Sequence, residues 1–197
     1  MNKYTLIFAC LIVLAACKVQ KGNTLTSATL KSKVPDAVQT LKYPDDWYGK
    51  YKGELGIYNT TGKVMTVDME VHILPTDKSD RSTWTIVYKM KDKAPELRKY
   101  FIQTLDAAKG EYLLDETDGI GMHEYLIDNT FYCRFAVQGV TLESESHLSG
   151  DILDYSIVTG MSDTLTVSGG TADTIPPVLD YKLINVQKAR LVRYARN

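Results

Sequence analysis

Between Val64 and Ile73 the chain alternates without interruption. Met65, Val67, Met69, Val71 and Ile73 are apolar, and Thr66, Asp68, Glu70 and His72 are polar. Successive side chains of a strand point to opposite faces of a sheet, so this stretch predicts a half-buried antiparallel strand. The residues before it keep the same parity: Trp47, Tyr51, Leu55 and Ile57 share one face, and Lys50, Lys52 and Glu54 the other. Between the two runs lies the turn signal Asn59-Thr60-Thr61-Gly62-Lys63. Together, 46–73 is expected to form a long hairpin.

Short apolar runs broken by turn residues continue from there. Strands are expected at 83–91, 97–105, 111–116, 122–128, 131–138, 140–148 and 152–159. The breaks are Asp106 to Gly110, Thr117-Asp118-Gly119, Asp128-Asn129 and Ser149-Gly150-Asp151. Residues 161–178, with Gly169-Gly170 and Pro176-Pro177, read as a long loop holding at most one short strand at 164–168. Residues 181–194 supply the last strand. No helical period long enough for a crossover occurs, which argues against a parallel sheet. A meander of this size avoids exposed edges most simply by closing on itself. The expected fold class is all-β, an antiparallel up-and-down barrel of about 8–10 strands behind an N-terminal tether.

Trp47-Tyr48-Gly49 at the start of the first strand resembles the opening of lipocalin-like (calycin) barrels. The resemblance implies that Trp47 sits at the barrel base under a basic residue of the last strand, for which Arg190 and Arg193 are placed. The family's usual glycine two residues before the tryptophan is Asp45 here, so the resemblance is one of architecture.

The N-terminus changes the picture from a plain barrel to an addressed one. Lys3 is followed by an uncharged apolar run from Tyr4 to Ala16, too short to span a bilayer and built like a secretory signal. The run ends Leu14-Ala15-Ala16-Cys17, which resembles the lipobox of bacterial lipoproteins. That resemblance implies cleavage before Cys17 and acylation of its sulfur, as by palmitate. Each buried methylene adds about 0.8 kcal/mol and more than one chain gives lasting anchoring. Residues 1–16 are thus expected to be a signal peptide, 17–44 a lipidated tether and 45–197 the barrel domain. The expected address is the bacterial cell envelope, on the periplasmic face of the outer membrane.

Composition mainly excludes. With 23 Lys+Arg against 24 Asp+Glu and no basic run, nucleic acid is not an expected partner. Of three cysteines, Cys10 belongs to the signal, Cys17 to the anchor, and Cys133 shares parity with Phe131 and Phe135 as a small hydrophobe. His72, His123 and His147 have no ligand spacing, so neither a metal nor a cofactor is expected. Asp115 to Gly119 fails the calcium-loop spacing, and Gly160-Met161-Ser162-Asp163-Thr164 lacks the second glycine of a nucleophile elbow. Glu143, Glu145 and Asp154, with His147 extending the row, read as a solvated outer face rather than as paired catalytic carboxylates. The domain is therefore expected not to be an enzyme.

One irregularity leans toward binding. In the middle strands Glu124 shares a face with Met122 and Leu126, and Gln103 with Leu97, Phe101 and Leu105. Polar groups among inward apolar ones are what a ligand cavity needs. A bulge that exchanges the two faces, or a face covered by the tether or a partner, gives the same pattern. The expectation is a barrel holding a small, partly apolar ligand, with Trp47, Tyr51, Trp84, Tyr88, Phe101, Leu126 and Phe135 as wall residues. The alternative is a solid barrel whose outer face or 161–178 loop binds an envelope protein or a glycan.

Overall fold

The computed structural model describes residues 40–172 and 174–196. Ten strands follow one another: β1 (Gly49–Asn59), β2 (Gly62–Pro75), β3 (Arg81–Lys89), β4 (Glu96–Asp106), β5 (Glu111–Asp115), β6 (Gly121–Ile127), β7 (Thr130–Val137), β8 (Val140–Ser149), β9 (Ile152–Ser168) and β10 (Val178–Ala195). Each pairs antiparallel with the next, and β1 pairs with β10, so the sheet closes as an up-and-down barrel. The signal segment, Cys17 and the tether as far as residue 39 lie outside the described residues.

Turn chemistry sets several of the hairpins. At β6–β7 the two connecting residues Asp128 and Asn129 have φ of 47° and 58°, and at β7–β8 Gln138 and Gly139 have 50° and 81°. Two positive φ values in a two-residue loop match the right-handed twist of the strands they join. The β1–β10 seam depends on a different feature. A Cβ at Gly53 would lie 2.3 Å from the carbonyl oxygen of Arg190, so only glycine lets the two backbones come this close.

The alternation of β2 is realised from Val67 on: Met65, nearer the strand's start, is exposed, and Val67, Met69, Val71 and Ile73 are buried inside the barrel. At its base Phe131 is ringed by Tyr43, Trp47, Trp84 and Tyr112, with centroid separations of 4.9, 5.0, 6.0 and 5.2 Å and edge-on geometry throughout. Such edge-to-face pairs stabilise beyond their buried area by about 0.5–1.5 kcal/mol each. The chain packs earlier than the expected boundary at residue 45. Leu41 and Tyr43 lie against the core, and the Leu41 N–H donates to Asn129 Oδ1 at 2.9 Å. A turn over 43–47 follows, in which the Asp46 and Trp47 amides donate to the carbonyls of Lys42 and Pro44.

Residues 161–168 are extended throughout, so the short strand expected at 164–168 is present and the loop around it is shorter than expected. They continue β9, and Val178 to Asp180 begins β10 against Ser168 to Thr166. The connecting loop shrinks to 169–177. This hairpin carries exposed apolar side chains, among them Leu165, Val167, Leu179 and Leu183. With no buried face there, the alternation that marks a half-buried strand is absent, although Thr and Val favour extended backbone.

Candidate functional site

Two concave regions stand out. The larger, about 490 Å³, is an open trough on the outer face between β1, β10, β9 and β8, and it gathers Glu145, His147 and Asp154. There Asp154 pairs with Arg190 at 3.3 Å, and His147 Nδ1 lies 2.9 Å from Thr130 Oγ1. Glu143 on the same face pairs with exposed Arg134. The two ion pairs here are solvated ones, which contribute little and enclose nothing. The smaller region, about 90 Å³, lies inside the barrel and is walled by strands β3 to β9. Enclosure and mixed chemistry make this interior the candidate site.

Its walls are mostly apolar and aromatic: Trp84, Ile86, Ile102, Leu114, Phe131 and Phe135. Among them stand Glu124, Cys133, Ser144, Ser146, Tyr100 and Tyr155. Glu124 is 7% exposed. It faces Tyr112 across β5–β6 and Cys133 across β6–β7. Burial pushes its carboxyl up to about 8, against which the hydrogen bond from the Cys133 thiol is a small correction. Among the described residues no basic side chain offsets the acid. Loss of hydration therefore decides its state, and at neutral pH it is the neutral acid.

The neighbours are neutral too. Burial, then the facing Glu124, pushes the Cys133 thiol up to about 12, so it is no thiolate nucleophile. Tyr155 is buried and hydrogen-bonded to Tyr88, and desolvation holds its phenol well above the ordinary range. Desolvation also raises Tyr100 to about 12. The site therefore offers several neutral hydroxyls and one carboxylic acid among the residues that line a small interior space. Among the described residues, no group of three or more His, Cys, Asp or Glu side chains is placed to hold a metal ion.

Of the wall residues expected from the sequence, Trp84 and Phe135 line the cavity. Trp47 and Tyr51 are fully buried at the barrel base below it. Tyr51 donates to the Trp47 carbonyl at 2.8 Å and accepts from Arg193 at 2.6 Å. Tyr88 touches the site through Tyr155, and Leu126 packs against the core beside it. Phe101 is the correction. Tyr100 and Ile102 take the inward positions of β4, and Phe101 points outward beneath the Arg81 guanidinium, 4.0 Å from its ring centroid. With Phe101 go Leu97 and Leu105, which are exposed. Sequence reasoning missed Tyr100 and Tyr155. For Tyr155 the signal existed, since it shares parity with Leu153 and Ile157. Of the two arginines that the lipocalin-like resemblance named, Arg193 closes the base over Tyr51, and Arg190 lies outside on Asp154.

No family model matches the chain, and no curated protein matches it. Among solved structures it is similar to the S-type phycobiliprotein lyase CPES from Guillardia theta, with a TM-score of 0.50 and 9% identity, over 74% of this chain and 87% of that one. The fold is lipocalin-like. The likeness also corrects the expectation that the domain is not an enzyme, because a barrel of this build is solved as a lyase.

Proposed function

We propose that this protein encloses a small, partly apolar ligand inside its barrel, while acyl chains on Cys17 hold it to the bacterial envelope. One observation carries the binding reading: a desolvated carboxyl, Glu124, aimed into an aromatic-walled cavity with no charged partner among the described residues. A barrel selected for stability alone would fill that position with a hydrocarbon side chain, since an uncompensated buried acid costs free energy. The anchor reading rests on Leu14-Ala15-Ala16-Cys17 after its apolar run, and the proposed address, the periplasmic face of the outer membrane, on the Lys18-Val19-Gln20-Lys21 that follows in place of acidic residues.

Native mass spectrometry of the protein purified from its own host tests the binding reading. A low-mass adduct that dissociates on denaturation is expected. A barrel that stays empty across preparations, with no uptake from a small-molecule library, would count against it. Metabolic labelling with palmitate tests the anchor separately: incorporation is expected in the natural chain and lost in Cys17→Ser.

A further inference from the structure

We propose that the barrel interior is a site for a small organic ammonium ion, with Glu124 as its counter-ion and the surrounding aromatic rings as its walls. The inference rests on the ligand-binding reading and names the chemistry of that same site. Glu124 is nine-tenths buried and lines the cavity, and among the described residues no Lys, Arg or His pairs with it. A buried acid that no basic side chain faces can be drawn into its charged form by a ligand of opposite charge, which then supplies the missing partner.

The rest of the lining fits the same guest. Trp84, Phe131, Tyr100 and Tyr155 line the same cavity as Glu124. The negative face of an aromatic ring attracts a cation, and more so where water is excluded. The Ser144 and Ser146 hydroxyls can accept further N–H bonds from an ammonium head. A carboxylate ligand would find a second acid facing it, and a neutral hydrocarbon would leave Glu124 with the Cys133 thiol alone. The volume of about 90 Å³ bounds the size. At roughly 10–15 Å³ for each water-sized group it admits about six to nine non-hydrogen atoms.

Binding then carries a proton signature. The free site holds neutral Glu124, and the ammonium ion arrives charged, so forming the pair releases one proton from the carboxyl to solvent. The other titratable groups facing Glu124 are Tyr112 on β5, Cys133 on β7, Tyr155 on β9 and Tyr43 from the turn beneath the barrel. All four are raised by burial, so they stay neutral between pH 6 and about 9 and leave Glu124 as the group that titrates. An alkylammonium keeps its charge over that range, as lysine does.

The test uses n-propylammonium chloride and its neutral counterpart propan-1-ol on the purified full chain, read by calorimetry and by shifts of the Leu114 and Met122 methyl resonances. Propylammonium is expected to bind at least tenfold more tightly than propan-1-ol at pH 8. Its affinity should rise about tenfold per pH unit from pH 6 to 8 and then level off. Glu124→Gln, which keeps the shape, should abolish both the preference and the slope. Equal affinity for the two probes, or a pH-independent propylammonium affinity in the natural chain, would overturn the cation assignment and leave the ligand-binding reading standing. If neither probe moves the cavity methyls and no co-purified molecule is found, both readings fall together.

Discussion

The Arg193 guanidinium lies over the Tyr51 ring, 5.0 Å from its centroid, and its Nη2 donates to the Tyr51 hydroxyl at 2.6 Å and to the Asp46 carbonyl at 2.7 Å. The last strand of the barrel is thereby fastened to the first, and to the turn that enters it. Tyr51 passes the bond on to the Trp47 carbonyl, so the indole at the base is held through two linked hydrogen bonds.

Arg193→Met should therefore cost about 2–4 kcal/mol, the size expected for losing charge-assisted hydrogen bonds at a buried site. Urea unfolding followed by tryptophan fluorescence would show it. Arg193→Lys should recover only part of the loss, because an ammonium cannot reproduce the planar fork. A midpoint unchanged in either variant would show that the base is held by packing alone.

Glu124 gives the protein a pH dependence of definite sign. Its folded-state pKa is raised to about 8 from an ordinary 4.5, so between those values the folded state binds the proton more tightly than the unfolded chain does. Stability attributable to this group is thus highest below pH 4.5, falls as pH rises toward 8 and levels off above it. At 1.36 kcal/mol per pH unit the full penalty is of the order of 4–5 kcal/mol. Glu124→Gln should remove that limb, so the variant is expected to be the more stable one at pH 8. Urea midpoints measured from pH 5 to 9 on both proteins check this, and parallel curves would contradict it.

The close approach of β1 to β10 predicts that Gly53→Ala is severe for so small a change. Its new methyl would meet the Arg190 carbonyl oxygen, a backbone atom that cannot turn aside. A loss of roughly 2–3 kcal/mol is expected, in the range of overpacking costs. Guanidinium unfolding reads it directly, and a neutral result would mean that the seam is looser than described.

Phe131 should be the costliest single truncation at the base. Four rings meet it edge-on, and Phe131→Ala would open a void among side chains already fixed by the barrel. About 3–5 kcal/mol is expected, with a red shift of the tryptophan emission as Trp47 and Trp84 lose cover. Phe131→Leu should cost less than half as much.

How far the sequence spoke depended on whether one face of each strand was clean. Over 65–73 of β2 the apolar positions fall on one parity only, and both the strand and its buried face were legible. In β4 both parities carry large apolar side chains: Tyr100 and Ile102 go in, and Leu97, Phe101 and Leu105 go out. What turns Phe101 outward is Arg81, a residue twenty positions away whose guanidinium covers the ring and pairs with Asp115. No local pattern reports such cover. Around 161–178 only the strand at 164–168 was legible and its full length was not, since a strand pair beyond the barrel has no buried face to print an alternation. Glu124 was visible as a polar residue on an apolar face, but its isolation depends on Cys133 and Tyr112, which only pairing brings beside it.

The account rests most directly on the state of one carboxyl, and that state can be measured without knowing the ligand. Carbon-13 NMR of the glutamate side-chain carboxyls, followed from pH 4 to 10, would resolve Glu124 by its absence in Glu124→Gln. The account predicts a midpoint near 8 in the free protein. A Glu124 resonance that titrates at the ordinary 4.5 would place that side chain in water and contradict the enclosed site.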